Sequence, residues 1–232
     1  MYIINVCICV IRQILSTKPK TNVCLRRQRP SRIADAYKPK HSRSVPSEQE
    51  VNMASITLIT GGASSGKSRW AISYFRTCDN VLYMSTNPEL QAETLHRLEY
   101  SNKENDVKWE IINNVNDPAS LIKDHKFFIF DDLGGYVSNV MKETAKDINE
   151  ITKEETDKVR SIVVNNIIES MNKVEALNGA LVIITIEPGF SVIPELKSQL
   201  AFRDIMGFVN QRIANTAQEV YLSVSGIQFK IK

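Results

Sequence analysis

The sequence predicts an α/β fold in which a mostly parallel sheet is flanked by helices and ends in an antiparallel hairpin. Short apolar runs rich in β-branched residues alternate with helical patterns, which is the order that builds a parallel sheet. A glycine-rich stretch follows the first run and opens a helical pattern. Residues 219–232 contain two strand patterns joined by Ser225-Gly226, a two-residue hairpin signal.

The first 52 residues form a basic segment without the apolar period of a strand or helix. They hold ten Lys/Arg and three Asp/Glu, a net charge of +7, so with +3 for the whole chain the remaining residues carry −4. We expect residues 1–52 to be either a disordered basic extension or a mis-assigned start ahead of Met53. The apolar opening is too short to span a bilayer, and the acidic body gives no case for nucleic acid. We therefore expect a cytoplasmic protein with neither a membrane nor a nucleic-acid partner.

Four runs after Met53 are typical of strands that are buried on both faces of a parallel sheet, because they are almost continuously apolar. In chain order they are SITLIT (55–60), NVLYMST (80–86), KFFIFD (126–131) and GALVIITI (179–186). In the closing strand Ile227, Phe229 and Ile231 share one face, and lysines lie on the other. That pattern indicates an edge strand protected against further pairing.

The predicted helices lie between and after these strands. Thr152 and Glu155 have the spacing of a capping box, and apolar residues recur at helical spacing until Gly179, which predicts one long helix. Residues 195–217 predict a further helix. The chain has 232 residues, 43% of them hydrophobic, which is enough for one domain with a full core.

The stretch from Gly61 to Ser68 has the form of a phosphate-binding loop, G-x-x-x-x-G-K-[ST], between a predicted strand and a predicted helix. Its glycines let backbone N–H groups converge on phosphate oxygens, and the helix N-terminus adds partial positive charge. The Lys67 ammonium reaches the β- and γ-phosphates, and the Ser68 hydroxyl ligates Mg²⁺. We expect ATP or GTP to be bound by Gly61, Gly62, Ala63, Ser64, Ser65, Gly66, Lys67 and Ser68.

A second magnesium ligand is expected at the end of a neighbouring strand. Asp131 and Asp132 follow the apolar run of KFFIFD, and Asp131 is the first choice because it directly ends that run. Aspartate is also a favoured helix cap, so Asp132 is better explained as the cap of the next segment. We expect Asp131 to bind Mg²⁺ together with Ser68 and to act with Lys67 in catalysis.

The end of the chain, FRDIMGFVNQR with SGIQFKIK, resembles the C-terminal signature of the adenosylcobinamide kinase/adenosylcobinamide-phosphate guanylyltransferase family. Further pieces resemble that family in order and spacing: TGGASSGKSRWA, LYMST, DDLGGYVSNV and TIEPGFSVIPE. The resemblance covers residues 54–232. The signature residues at the end of the chain are Phe202, Arg203, Asp204, Gly207, Asn210, Gln211, Ser225 and Gly226.

The resemblance implies a RecA-like P-loop core over residues 53–232, a homo-oligomer, and a place in cobalamin biosynthesis. It implies two transferase steps: phosphorylation of the aminopropanol hydroxyl of adenosylcobinamide by a nucleoside triphosphate, then transfer of GMP from GTP to that phosphate through a histidine. Glu187 and Arg203 become candidates for contact with the substrate. For Arg203 an ordinary ion pair in the neighbourhood of Asp204 is an equal alternative.

The chain departs from the family pattern at the guanylyl acceptor, where the histidine position is Ser101. An unassisted serine hydroxyl is a poor nucleophile at neutral pH. His96 is the nearest histidine, but on a helix it lies roughly 140° around the axis from Ser101. The sequence therefore predicts a kinase and leaves open whether guanylyl transfer is lost or carried by His96. A non-catalytic nucleotide-binding relative is the alternative, against which the intact phosphate loop counts.

Overall fold

A single sheet of seven strands forms the centre of residues 55–232, the part of the chain that the computed structural model describes; the predicted extension, residues 1–52, lies outside the described residues. The strands are β1 (Ser55–Gly61), β2 (Val81–Ser85), β3 (Glu110–Ile112), β4 (Phe127–Asp131), β5 (Ala180–Ile184), β6 (Glu219–Val224) and β7 (Ile227–Lys230). Their order across the sheet is β3-β2-β4-β5-β1-β6-β7.

All neighbouring strands pair in parallel except β6 and β7, which form the antiparallel hairpin at the edge of the sheet. Ser225 and Gly226 form its turn with φ of 51° and 81°, the left-handed backbone of a two-residue hairpin turn. The predicted α/β class and the C-terminal hairpin are thus confirmed. One expectation was wrong: β4, which ends in Asp131, is not the neighbour of β1, because β5 lies between them.

Six α-helices connect these strands within residues 55–232. They are α1 (Lys67–Tyr74), α2 (Ala92–Asn105), α3 (Pro118–Leu121), α4 (Leu133–Thr144), α5 (Lys153–Ala176) and α6 (Lys197–Thr216). The long predicted helix is α5, and it begins with the predicted capping box: the Thr152 hydroxyl accepts from the Glu155 N–H, and the Glu155 carboxylate accepts from the Thr152 N–H. None of the helices in this part of the chain combines the length and the apolar character needed to cross a membrane.

The sheet buries apolar side chains on both faces, which explains the continuous apolar runs of its central strands. Ile56 and Leu58 of β1 pack with residues of α4, α5 and α6 on one face. Ile59 points to the other face and packs with residues of α1 and α2, including Ile72 and Leu98. Because the strands are parallel, their C-terminal ends and the residues that follow them meet at one edge of the sheet.

Candidate active site

The phosphate loop connects the C-terminal end of β1 to the first residue of α1. Gly61 and Gly66 have φ of 148° and 98°, backbone conformations that residues with a Cβ rarely adopt. Ser64 also has a positive φ, of 54°. No side chain caps the N-terminus of α1, and its first turn contains no acidic residue. The N–H groups at this helix end therefore remain free of a side-chain acceptor, as an anion site requires.

The Lys67 side chain folds back over the loop. Its Nζ donates to the carbonyl oxygens of Gly61 at 3.1 Å and Gly62 at 2.7 Å. Burial lowers the pKa of Lys67, and the negative charges of Asp131 and Asp132 oppose this shift. The Lys67 ammonium thus bonds to the backbone of the loop, and the carboxylates of Asp131 and Asp132 at the edge of the sheet favour its charged form.

Asp131 ends β4 and is held by hydroxyl groups. The hydroxyl of Tyr83, a wholly buried residue of β2, donates to the Asp131 Oδ2, and the Ser68 side chain lies close enough to lower the pKa of the same carboxylate. Burial raises the pKa of Asp131; the hydrogen bond from Tyr83, the Ser68 side chain and the charge of Lys67 lower it, while the charge of Asp132 raises it further. Lys67, Ser68 and Asp131 therefore converge although β5 separates their strands.

Sequence reasoning missed Tyr83, which reads as one more apolar residue of a buried strand. Strand pairing places Tyr83 beside Ile129 and Ser85 beside Asp131. Residues two apart in a strand lie on the same face, so Tyr83 and Asp131 are diagonal neighbours on one face. A polar hydroxyl within a run that is otherwise buried is the signal that could have indicated a partner of this kind.

The structure gives Asp132 the role of a helix cap. Its side chain accepts from the N–H of Gly135 in the first turn of α4. The backbone N–H and carbonyl of Asp132 also lie within 3.4 Å and 3.3 Å of the hydroxyl of Thr86, the residue that follows β2. Asp132 thereby starts α4 at the same sheet edge, and Asp131 is the carboxylate that faces the phosphate loop.

The donors at this edge fit a magnesium ion that is shared with a nucleotide. Mg²⁺ prefers oxygen ligands and is usually held by one or two protein groups, phosphates and water. Ser68 and Asp131 offer a hydroxyl and a carboxylate that lie near each other at the start of α1 and the end of β4. Among residues 55–232 no cluster of three or more acidic, histidine or cysteine side chains could hold a metal alone. The protein contribution therefore matches a site that phosphate oxygens complete.

Glu187 lies beyond β5 at the same edge, in a loop that α6 holds. The side-chain amide of Asn210 donates to the Ile186 carbonyl at 2.8 Å and to the Glu187 carboxylate at 3.2 Å, and its oxygen accepts from the Thr185 hydroxyl at 2.8 Å. The Arg203 guanidinium donates to the Gly189 carbonyl at 3.2 Å, so its observed partner is this loop and not an acid near Asp204.

The segment that contains His96 and Ser101 is helical and forms α2. His96 is exposed on this helix and Ser101 is half-buried. Asn105 and Asp106 end this helix: the Asn105 side chain donates to the Ser101 carbonyl at 2.7 Å, and Asp106 is the C-cap with a left-handed φ of 52°. The structure thus gives Asn105 and Asp106 a local role in stopping α2.

Comparison with known proteins decides the family. Residues 57–231 match the family described as cobinamide kinase / cobinamide phosphate guanyltransferase. The chain belongs to this family. Two relatives are both named bifunctional adenosylcobalamin biosynthesis protein CobU. The one from Escherichia coli is 30% identical over 183 residues, and the one from Salmonella typhimurium is 29% identical over 182 residues. In both comparisons the matched region covers 76% of this chain and 99% of the relative.

The family assignment confirms the resemblance seen at the phosphate loop and at the C-terminus, and with it the nucleotide-binding P-loop class of the fold. Among solved structures, the flagellar accessory protein FlaH from Methanocaldococcus jannaschii is similar with a TM-score of 0.44 and 15% identity, over 78% of this chain and 79% of that protein.

Proposed function

We propose that this member of the cobinamide kinase / guanyltransferase family phosphorylates the aminopropanol hydroxyl of adenosylcobinamide with ATP or GTP. The observation that carries the proposal is the convergence of Lys67, Ser68 and Asp131 at an uncapped helix N-terminus. These are the groups that position a triphosphate and neutralise its charge, which is nearly all that phosphoryl transfer asks of a protein.

Each group has a separate task in this proposal. The N–H groups of the loop and of the first turn of α1 bind phosphate oxygens, and Lys67 moves from the Gly61 and Gly62 carbonyls to the β- and γ-phosphates. Ser68 and Asp131 would hold Mg²⁺, which supplies positive charge that offsets the charge of the phosphates. Tyr83 fixes the rotation of the Asp131 carboxylate through its hydrogen bond.

The substrate side of the site is proposed to lie at the loop after β5. Asn210 holds the Glu187 carboxylate at 3.2 Å, and Arg203 fixes the same loop through Gly189 at 3.2 Å. We infer that Glu187 contacts the substrate and that Arg203 acts by holding the loop. Phe190 and Val192 of this loop are 80% and 91% exposed, which leaves apolar surface next to Glu187 for a large organic substrate.

The guanylyl step is a separate part of the proposal because the acceptor histidine of the family pattern is absent. Ser101 occupies that position, His96 is exposed on α2, and His125 precedes β4 at the opposite end of the strand from Asp131. We propose that the protein is a kinase that has lost GMP transfer. If GMP transfer is nevertheless observed, His96 is the acceptor to test. The cytoplasmic location and the homo-oligomer remain predictions.

Two labelling reactions test the two steps independently. The full chain is incubated with Mg²⁺, γ-labelled ATP or GTP and adenosylcobinamide, and labelled corrinoid is the expected product. Incubation with α-labelled GTP is expected to leave the protein unlabelled. Acid-labile label on the protein would contradict the loss of GMP transfer, and its disappearance in His96→Ala would identify the acceptor. An absence of labelled corrinoid with either nucleotide would overturn the kinase.

A further inference from the structure

The hairpin formed by β6 and β7 contacts the phosphate loop, although the two are far apart in sequence. β6 runs parallel to β1 with Ser223 beside Gly61. The hairpin turn that follows lies against the other end of the loop: a Cβ on Gly66 would be 3.3 Å from the Cα of Gly226. The SGI sequence that marks this chain's C-terminal signature therefore sits against the nucleotide site.

The carbonyl oxygen of Ser65, within the phosphate loop, accepts two hydrogen bonds from this hairpin. The Ser223 hydroxyl donates at 2.8 Å and the Gly226 N–H donates at 2.9 Å. Ser223 is completely buried, so water cannot replace its hydroxyl. Because a trans peptide is planar with its N–H opposite its carbonyl, holding the Ser65 carbonyl against the hairpin turns the Gly66 N–H away from it.

Gln228 of β7 sets the direction of the Ser223 hydroxyl. The Gln228 Nε2 donates to the Ser223 Oγ at 3.2 Å and to the Gly226 carbonyl at 3.2 Å. A hydroxyl has a single proton, and an Oγ that already accepts from Gln228 keeps that proton for the Ser65 carbonyl. The hydrogen bonds thus run in one direction, from Gln228 through Ser223 to the loop.

The hairpin also explains why the loop needs glycine at Gly61. A Cβ there would lie 2.3 Å from the carbonyl oxygen of Ser223, a distance at which backbone must move. Gly61 therefore allows β6 to approach closely enough for the Ser223 hydroxyl to reach Ser65. The close approach and the two hydrogen bonds to Ser65 are separate observations that place the same strand against the same loop.

We propose that Ser223 and Gln228 are positioning residues for nucleotide binding, and that with the Gly226 N–H they fix the 65–66 peptide so that the Gly66 N–H is presented to phosphate. The proposal rests on the proposed function in one respect, that a nucleoside triphosphate is the ligand of this loop. It goes beyond that function by assigning the C-terminal hairpin to the site.

The test compares the affinity of full-chain variants for a fluorescent ATP analogue with Mg²⁺. Ser223→Ala is expected to weaken binding about five-fold, the effect of one neutral hydrogen bond, and Ser223→Thr, which keeps the hydroxyl, to bind more tightly than Ser223→Ala. Ser170→Ala is the matched control, since Ser170 is also a buried serine whose hydroxyl donates to a carbonyl at 2.8 Å, that of Asn166 within α5. It is expected to leave the affinity unchanged.

Gln228→Leu supplies a second variant at a half-buried position, in case Ser223→Ala fails to fold. Its effect on affinity is expected to be smaller in the Ser223→Ala background than in the wild type, because both changes act on one chain of hydrogen bonds. Wild-type affinity in both Ser223→Ala and Gln228→Leu would overturn the proposal, as would equal weakening by Ser170→Ala. If these variants behave as expected but no corrinoid is phosphorylated, the proposed function fails and the hairpin's role stands.

Discussion

Replacing Tyr83 by phenylalanine removes a single hydroxyl from the interior and leaves the Asp131 carboxylate without its buried donor. Tyr83 is 0% exposed, and its hydroxyl donates to Asp131 Oδ2, so no water can take its place. A hydrogen bond to a charged group contributes about 1.5–3 kcal/mol to the free energy of unfolding. In a domain of this size each 1 kcal/mol corresponds to roughly 2–4 °C, so we expect Tm to fall by about 3–12 °C.

The size of this loss is expected to depend on pH, with a sign that follows from the pKa of Asp131. Burial holds this pKa above its usual value, and the hydrogen bond from Tyr83 lowers it, so Tyr83→Phe raises it further. A group whose pKa is raised on folding stabilises the fold at low pH and loses that contribution as pH rises through the folded pKa. The wild type and Tyr83→Phe should therefore differ most when Asp131 is ionised and less at mildly acidic pH.

Thermal unfolding and urea unfolding, followed by circular dichroism at neutral and mildly acidic pH, measure the fall in Tm and the pH dependence of the lost free energy. Tyr100→Phe is the matched control, because Tyr100 is 61% exposed on α2 and its change should leave the midpoint unaltered. The same variants can be titrated with Mg²⁺ in the presence of the fluorescent ATP analogue, where Tyr83→Phe is expected to need more Mg²⁺. A Tyr83→Phe protein as stable as the wild type at both pH values would refute the assigned hydrogen bond.

Three further predictions concern the loop, a helix cap and the core. Lys67→Ala should lower phosphate transfer about a hundredfold or more, whereas Lys142→Ala, an exposed lysine on α4, should not. Thr152→Ala should cost about 1 kcal/mol of unfolding free energy at neutral pH. Because the Thr152 N–H lowers the pKa of Glu155, the carboxylate's contribution is present above its usual pKa and is lost as pH falls through the lowered one. Met171→Ala, at a wholly buried site of α5, should cost about 2–5 kcal/mol.

Each of these predictions has an outcome that contradicts it. Transfer by Lys67→Ala at the wild-type rate would show that the ammonium does not touch the phosphates. For the cap, Thr152→Ala as stable as the wild type at neutral pH would contradict the hydroxyl's role. Urea unfolding of Glu155→Gln tests the carboxylate: its stability should differ less from that of the wild type in acid, and a difference that grows in acid would have the wrong sign. Unfolding of Met171→Ala at the wild-type midpoint would mean that its side chain is not packed as the structure shows.

The features that could be predicted from the sequence are those that depend on residues close together along the chain. The capping box at Thr152 needs residues only three positions apart, and the hairpin turn at Ser225-Gly226 needs two residues with a left-handed backbone. The end of the strand at Asp131 follows from one apolar run and is where β4 ends. In all three cases the physical cause lies within a few residues, so a single chain is enough to reveal it.

The contacts that the sequence could not predict join residues distant along the chain. Ser223 reaches Ser65 across 158 positions and Tyr83 reaches Asp131 across 48, and no period or spacing encodes either pair. The position of β5 between β1 and β4 is likewise a property of the whole sheet. In the sequence alone, Tyr83 and Ser223 look like ordinary strand residues. Only the strand order shows that Tyr83 lies beside Asp131 and that Ser223 lies beside the phosphate loop.

The most direct measurement of the central claim is transfer of γ-labelled phosphate to adenosylcobinamide by the full chain, with Lys67→Ala and Lys142→Ala measured beside it. We predict labelled corrinoid from the wild type and from Lys142→Ala, and about a hundredfold less from Lys67→Ala. If the wild type yields no labelled corrinoid with either ATP or GTP while the fluorescent ATP analogue still binds, the chain is a nucleotide-binding member of its family and not a cobinamide kinase.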